Sequence, residues 1–154
     1  MKISVGADER NAIVDAVLGE LQKAGYTVTY TGPLAGEIQP APENSWPAVA
    51  RRVAEDVARG RADEGILFCW TGTGVTIAAN KVKGIRAALC ADAQTARGAR
   101  LWNNANLLCM SLRTTTPAIA QEILEAWFST NYQPNPTDDA CLRIIDELDN
   151  GGGE

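Results

Sequence analysis

Apolar positions in this chain fall into two alternating kinds of run. Short β-prone or continuous apolar stretches recur at Lys2–Val5 (ending at Gly6), Thr27–Tyr30, Gly65–Cys69, Arg86–Cys90 and Leu107–Met110. Between them lie stretches with helical spacing. From Asn11 to Ala24 the residues Ile13, Val14, Val17, Leu18 and Leu21 trace one helix face, and Gly25 supplies the stop. A second helix is predicted from Trp46 to Arg59 by Ser45 as N-cap, Pro47 in the first turn, Val49, Val53 and Val57, and Gly60 at the end. Val75–Lys81, a helix from Asp92 to Trp102, Pro117–Thr130 behind Thr116, and Thr137–Leu148 complete the set.

Five β runs separated by helices predict a parallel sheet covered on both sides, because parallel neighbours need crossover connections. GILFC and RAALC are continuous rather than alternating, the pattern of strands buried on both faces. The expected fold is a doubly wound α/β sandwich in one domain over residues 1–150, with a flexible tail at 151–154. Thr31–Ser45 holds Pro33, Pro40 and Pro42 and reads as a long loop inside the domain, a place where function often sits. In such a fold ligands bind beyond the carboxyl ends of the strands. That singles out Ala7-Asp8-Glu9-Arg10, Cys69-Trp70-Thr71-Gly72-Thr73-Gly74, and the residues after Cys90 and Met110.

Composition narrows the chemistry. The 154 residues are 45% hydrophobic and 21% charged, the profile of a globular protein. Fourteen Lys and Arg against 19 Asp and Glu leave a net charge of -5, so no basic surplus exists to neutralise nucleic-acid phosphates. Histidine is absent, which excludes an imidazole base, a Ser-His-Asp triad or a histidine-ligated metal from this chain. No apolar run approaches the length of a membrane span, and the amino terminus lacks a signal-peptide core. Cys69, Cys90, Cys109 and Cys141 form no CxxC pair, and a reducing cytoplasm is the expected location.

The segment Phe68–Lys81, FCWTGTGVTIAANK, carries the candidate chemistry. A buried strand delivers Cys69 at its end, and a Gly-Thr-Gly turn then opens a short helix. Glycines let the backbone approach a ligand, and the helix start offers free N–H groups with a partial positive charge. That field favours a thiolate, which makes Cys69 either a base or nucleophile or, on the bland reading, a buried thiol in a tight turn. The segment is neither a Walker loop nor a dinucleotide fingerprint, whose third glycine falls at Ile77. Trp70 is either a core aromatic or a surface for a sugar face. Asp8 is either the cap of the first helix or an acceptor for sugar hydroxyls. Arg86 and Arg113 flank strands and read as solvated, although Arg113 could reach an anion; Lys81 reads as a helix C-terminal charge. Trp102, Trp127 and Phe128 belong to core or interface.

Asp8, CWTGTGVTIAANK, GIRAALC and WNNANLLCMSLR together resemble the family of type B ribose-5-phosphate isomerases and galactose-6-phosphate isomerase subunits, over roughly residues 1–148. The resemblance implies a Rossmann-like three-layer α/β sandwich with a five-stranded parallel sheet. It implies metal-free, cofactor-free aldose–ketose isomerisation of a sugar phosphate. It also implies a homodimer or homotetramer whose active sites are shared between subunits. By position, Cys69 matches the cysteine that moves a proton between adjacent sugar carbons, and Thr71 the threonine that assists ring opening. Trp70, Gly72, Thr73 and Gly74 match the loop that holds the enediolate. Asp8 and Glu9 match an Asp-His pair, Asn103 an amide that contacts substrate, and Arg113 an arginine that helps bind phosphate.

Departures from the family pattern concern specificity. Glu9 stands where many relatives have His, Trp102 where a ring-opening His is usual, and Trp70 where Gly follows the cysteine. Two phosphate-clasping arginines fall at Pro136 and Ala140, with Arg10 and Arg143 as candidate substitutes. The leading expectation is an isomerase of a ribose 5-phosphate-like substrate with Cys69 as base. The alternatives are a different sugar (a tetrulose, deoxy or unphosphorylated one) or a non-catalytic sugar-binding relative. A thiol-redox role lacks a nearby resolving cysteine.

Overall fold

The computed structural model describes residues 1–37 and 42–151, along which strands and helices alternate. In order they are β1 (Lys2–Ala7), α1 (Ala12–Lys23), β2 (Thr27–Thr31), a 3-10 turn (Pro42–Asn44), α2 (Trp46–Ala58), β3 (Glu64–Cys69), α3 (Thr73–Ala79), β4 (Ala87–Leu89), α4 (Ala93–Asn103), β5 (Leu107–Ser111), α5 (Pro117–Ser129) and α6 (Pro136–Asp149). The five strands pair in parallel in the order β2-β1-β3-β5-β4, a Rossmann-like sheet. Pro40 and the last three residues of the expected tail lie outside the described residues.

The side-chain alternation of the strands divides the core in two. Ile3, Val5, Ile66, Phe68, Leu108 and Met110 face α1, α4 and α5, while Leu67, Cys69, Leu107 and Cys109 face α2 and α3. All six residues of β3 are buried, as its continuous apolar run requires. Two buried clusters on opposite faces of one sheet complete the three layers. Among the described residues no helix is long and apolar enough to cross a membrane.

Several local expectations shift. Asn11, not Asp8, caps α1: its side chain accepts from the amides of Ile13 and Val14 at 3.0 and 3.4 Å. Asp8 is thereby left to other partners. Ser45 occupies the cap position of α2 with extended backbone but makes no side-chain capping bond. The helix after Cys69 begins at Thr73, two residues earlier than its apolar pattern indicates, because Gly72 turns the chain into it. Lys81 therefore lies beyond that helix. RAALC is not a fully buried strand; β4 is a short edge strand with Leu89 exposed. Arg86 is not simply solvated, since its Nε donates to the Asn104 carbonyl at 2.8 Å.

At the amino-terminal end of β3, Glu64 is buried between Arg100 and Trp127. Arg100 Nη2 lies 2.7 Å from one carboxylate oxygen and Trp127 Nε1 donates to the other at 2.5 Å. The guanidinium also stacks over the Trp127 ring, 5.0 Å from its centroid. Burial raises the Glu64 carboxyl above its ordinary range, and the Arg100 charge opposes that rise. Trp127 is thus core, whereas Trp102 is 62% exposed. Phe128 packs on Tyr26 with ring centroids 5.0 Å apart. The amphipathic α6 rests beside α4 and contributes no buried residue.

Candidate active site

Strand β1 lies between β2 and β3, so the chain leaves it to one side and returns on the other. A crevice opens at the carboxyl ends of strands at such a reversal. The register pairs Ala7 with Phe68, so the residues that follow, Asp8 and Cys69, stand side by side at that crevice.

Cys69 ends β3 with its side chain on the α2–α3 face, 5% exposed. Its backbone is held from two sides: the carbonyl accepts the Gly72 amide at 3.2 Å and the Leu112 amide at 3.0 Å. The next carbonyl, of Trp70, accepts the Arg113 amide at 3.0 Å and the Ser111 hydroxyl at 2.9 Å. The Ser111 oxygen in turn accepts the amides of Arg113 and Thr114, both at 3.2 Å. The turn after the cysteine is therefore tied to the end of β5 rather than left as a free loop.

Gly72 has φ +76, and a Cβ there would lie 2.5 Å from Leu89 Cδ1 and 3.0 Å from the Met110 carbonyl carbon. Only glycine makes this turn without strain. It leads into α3 with no side-chain cap, so the first amides of that helix, including those of Thr73 and Gly74, have no acceptor within it. The Thr71 and Thr73 hydroxyls are hydrogen-bonded to each other at 2.7 Å. These donors and the Cys69 thiol border a cavity of about 290 Å³ lined by Asp8, Trp46, Cys69, Trp70, Thr71, Thr73 and Gly74. The cysteine is buried but not sealed away.

Asp8 brings an unmet need to this cavity. Its Oδ1 is buried without a hydrogen-bond partner. Burial, and to a lesser degree the neighbouring Glu9 charge, push its carboxyl above the ordinary aspartate range. A buried acceptor without a donor is a place for a ligand hydroxyl. The adjacent cation is already committed: Arg10 Nε is 2.8 Å from Asp15 Oδ1, and the guanidinium stacks over Tyr30 at 4.9 Å. Among the described residues, no three His, Cys, Asp or Glu side chains gather closely enough to hold a metal ion.

Six of the residues singled out by sequence thus meet at one cavity: Asp8, Cys69, Trp70, Thr71, Thr73 and Gly74. Trp70 is 57% exposed there and is not a core aromatic. Gly72 acts through the turn beneath. Glu9 is exposed and is not among the lining residues, and Arg113 contributes its amide while its residue is exposed. Asn103 is elsewhere. It lines a cleft of about 510 Å³ between β4, α4 and α6, together with Trp102, Arg86 and Ile145. Trp46 lines the Cys69 cavity although its sequence position reads only as a helix start. The available signal was positional, because the helix after the proline-rich loop begins at the carboxyl edge of the sheet.

Comparison with known proteins gives concordant matches. The model of the ribose/galactose isomerase family matches residues 3–143. The galactose-6-phosphate isomerase subunit LacB of Clostridium acetobutylicum is 35% identical over 149 residues, covering 96% of this chain and 83% of that protein. The D-erythrulose-4-phosphate isomerase of Pectobacterium atrosepticum is 38% identical over 139 residues, 86% of each chain. The structure of Clostridium thermocellum ribose-5-phosphate isomerase B superposes with a TM-score of 0.90 at 34% identity, covering 98% of this chain and 99% of that one.

Proposed function

The chain belongs to the ribose/galactose isomerase family and is a sugar-phosphate isomerase; on that premise we propose that Cys69 is the base that moves a proton between adjacent carbons of an aldose or ketose phosphate. The supporting observation is a thiol delivered by a buried strand to a cavity mouth, directly before an uncapped helix start. The C–H beside the substrate carbonyl gives its proton to the Cys69 thiolate, and the electron pair moves onto the carbonyl oxygen. The resulting enediolate is held by the free amides of Thr73 and Gly74. The hydroxyl proton of the deprotonated carbon passes to the former carbonyl oxygen, and return of the carbon proton to the former carbonyl carbon completes the exchange of aldehyde and ketone. Thr71 assists ring opening, and Asp8 accepts a substrate hydroxyl.

The substrate is a short sugar phosphate of the ribose 5-phosphate type, without metal or cofactor. A tetrulose phosphate is the second reading, supported by the 38% identity to a D-erythrulose-4-phosphate isomerase. No guanidinium is among the side chains that line the Cys69 cavity. Phosphate recognition then falls to Arg113 or to a second copy of the chain. A homodimer or homotetramer with shared sites would also bring Asn103 and Trp102 to a cavity that they do not line in their own subunit, and would cover the apolar side chains of α6, where Ile144 and Leu148 are exposed. Four unpaired cysteines suit a reducing cytoplasm.

Incubation with ribose 5-phosphate, erythrulose 4-phosphate and galactose 6-phosphate in deuterated water tests the proposal. Isomerisation with deuterium incorporation is expected for at least one, and Cys69→Ala should abolish both while preserving the fold. Full activity in Cys69→Ala removes the thiol from the reaction. Sedimentation showing a stable monomer would contradict shared sites.

A further inference from the structure

We propose that Trp46 is the specificity-determining wall of this site, its indole stacking on the C–H face of the bound sugar phosphate while Asp8 accepts a hydroxyl. The inference rests on the isomerase reading above and names how that site tells epimers apart. Trp46 begins α2, whose Val49, Ala50, Val53 and Ala54 are buried, yet Trp46 as a residue is 43% exposed. It is not there to fill the core. The ring lies instead on the first turn of α3: a Cβ at Gly74 would stand 3.0 Å from Trp46 Cε3 and 3.2 Å from Cδ2. The missing side chain at position 74 is what lets the indole settle against the backbone and border the cavity.

The other lining residues are small or polar apart from Trp70. Trp46 is therefore the large apolar surface fixed against backbone beside Cys69. Stacking requires hydrogens, not hydroxyls, on the facing side of the carbon chain. An epimer that turns a hydroxyl toward the indole would lose solvation without gaining a partner. The unpaired Oδ1 of Asp8 has the opposite demand, because it lacks a donor and favours the epimer that supplies one. One wall rejects a hydroxyl and another accepts it, which is a stereochemical filter.

The test compares wild type, Trp46→Phe, Trp46→Ala and Gly74→Ala on ribose 5-phosphate, arabinose 5-phosphate, xylose 5-phosphate and erythrulose 4-phosphate. Loss of the indole should raise KM by several-fold to about tenfold, with kcat changing far less. The ratio of kcat/KM between epimers should narrow in Trp46→Ala, with Trp46→Phe intermediate. Gly74→Ala, which displaces the ring without removing it, should move KM in the same direction. Circular dichroism melting identifies any variant that does not fold, and Trp46→Phe then carries the comparison. Unchanged KM and epimer ratios in the folded variants overturn the inference. If wild type turns over none of the four, the assigned substrate class fails separately. Stacking is then read from tryptophan emission on titration with 4-phosphoerythronohydroxamate: a change lost in Trp46→Phe supports it, and no change, or one retained, overturns it.

Discussion

The Ser111 hydroxyl donates to the carbonyl of Trp70 at 2.9 Å and so fastens the turn after the candidate base to the neighbouring strand. Ser111 is also the register partner of Cys69. Its oxygen accepts two further amides, so one side chain coordinates the ends of β3 and β5. Ser111→Ala removes three hydrogen bonds at once, although the Arg113 amide still reaches the Trp70 carbonyl at 3.0 Å. We expect a stability loss of about 0.5–1.5 kcal/mol, read by urea denaturation. Turnover should fall as well, because the amides proposed to hold the enediolate lose their fixed position.

Gly72→Ala attacks the same turn through the backbone. The positive φ and the crowding by Leu89 and Met110 leave no strain-free place for a methyl group. A loss exceeding about 1 kcal/mol is expected, visible as a lower denaturation midpoint. Gly84 also has positive φ but nothing within 4 Å of a built Cβ, so Gly84→Ala should cost less.

Asp8 links stability to function with opposite signs. Its carboxyl is raised above the ordinary value of 3.8, chiefly by burial. The folded state therefore holds this proton more tightly than the unfolded chain does. The associated stability is fully present below pH 3.8 and is lost as pH rises through the raised folded value. Asp8→Asn should melt higher than wild type at pH 7 and lose that advantage at the acid end. It should also weaken substrate binding, since the amide is a poorer acceptor. A variant that melts lower than wild type at pH 7 would contradict the burial argument.

Arg100 supports the sheet far from the chemistry. Glu64 and Cys69 stand at opposite ends of β3, roughly 16 Å apart at the rise of an extended strand. Arg100→Ala would leave the buried Glu64 carboxylate with only Trp127 as partner. A destabilisation of about 3–5 kcal/mol is expected from breaking a buried pair on one side. The folded fraction should keep its kcat. A fall in kcat matching the loss of stability would show that the two ends of the strand are coupled.

Much of this architecture is written locally. The order of strands and helices, Gly25 and Gly60 as stops, and Thr116 and Asp92 as caps follow from periodicity and from which side chains satisfy a helix end. Cys69 before a Gly-Thr-Gly turn is local too, since a continuous apolar run can end only where polar backbone must find new partners. The capping of α1 was less legible, because Asp8 and Asn11 have the same chemistry and only the path of the chain after Ala7 separates them.

Other features depend on neighbours that no local pattern names. RAALC reads as central because it is apolar, but pairing on one side only makes it the edge strand. Asn103 lies close in sequence to β5, yet the helix that carries it turns it into a different cleft from Cys69. Trp46 meets Gly74 because α2 and α3 pack on the same face of the sheet. Amino-acid order set the elements and put Cys69 at a strand end, since backbone preference and hydrophobic period act over a few residues. Strand order and helix packing brought Asp8 to Cys69 and the indole to the cavity, since those contacts exist only once the whole chain has buried its two cores.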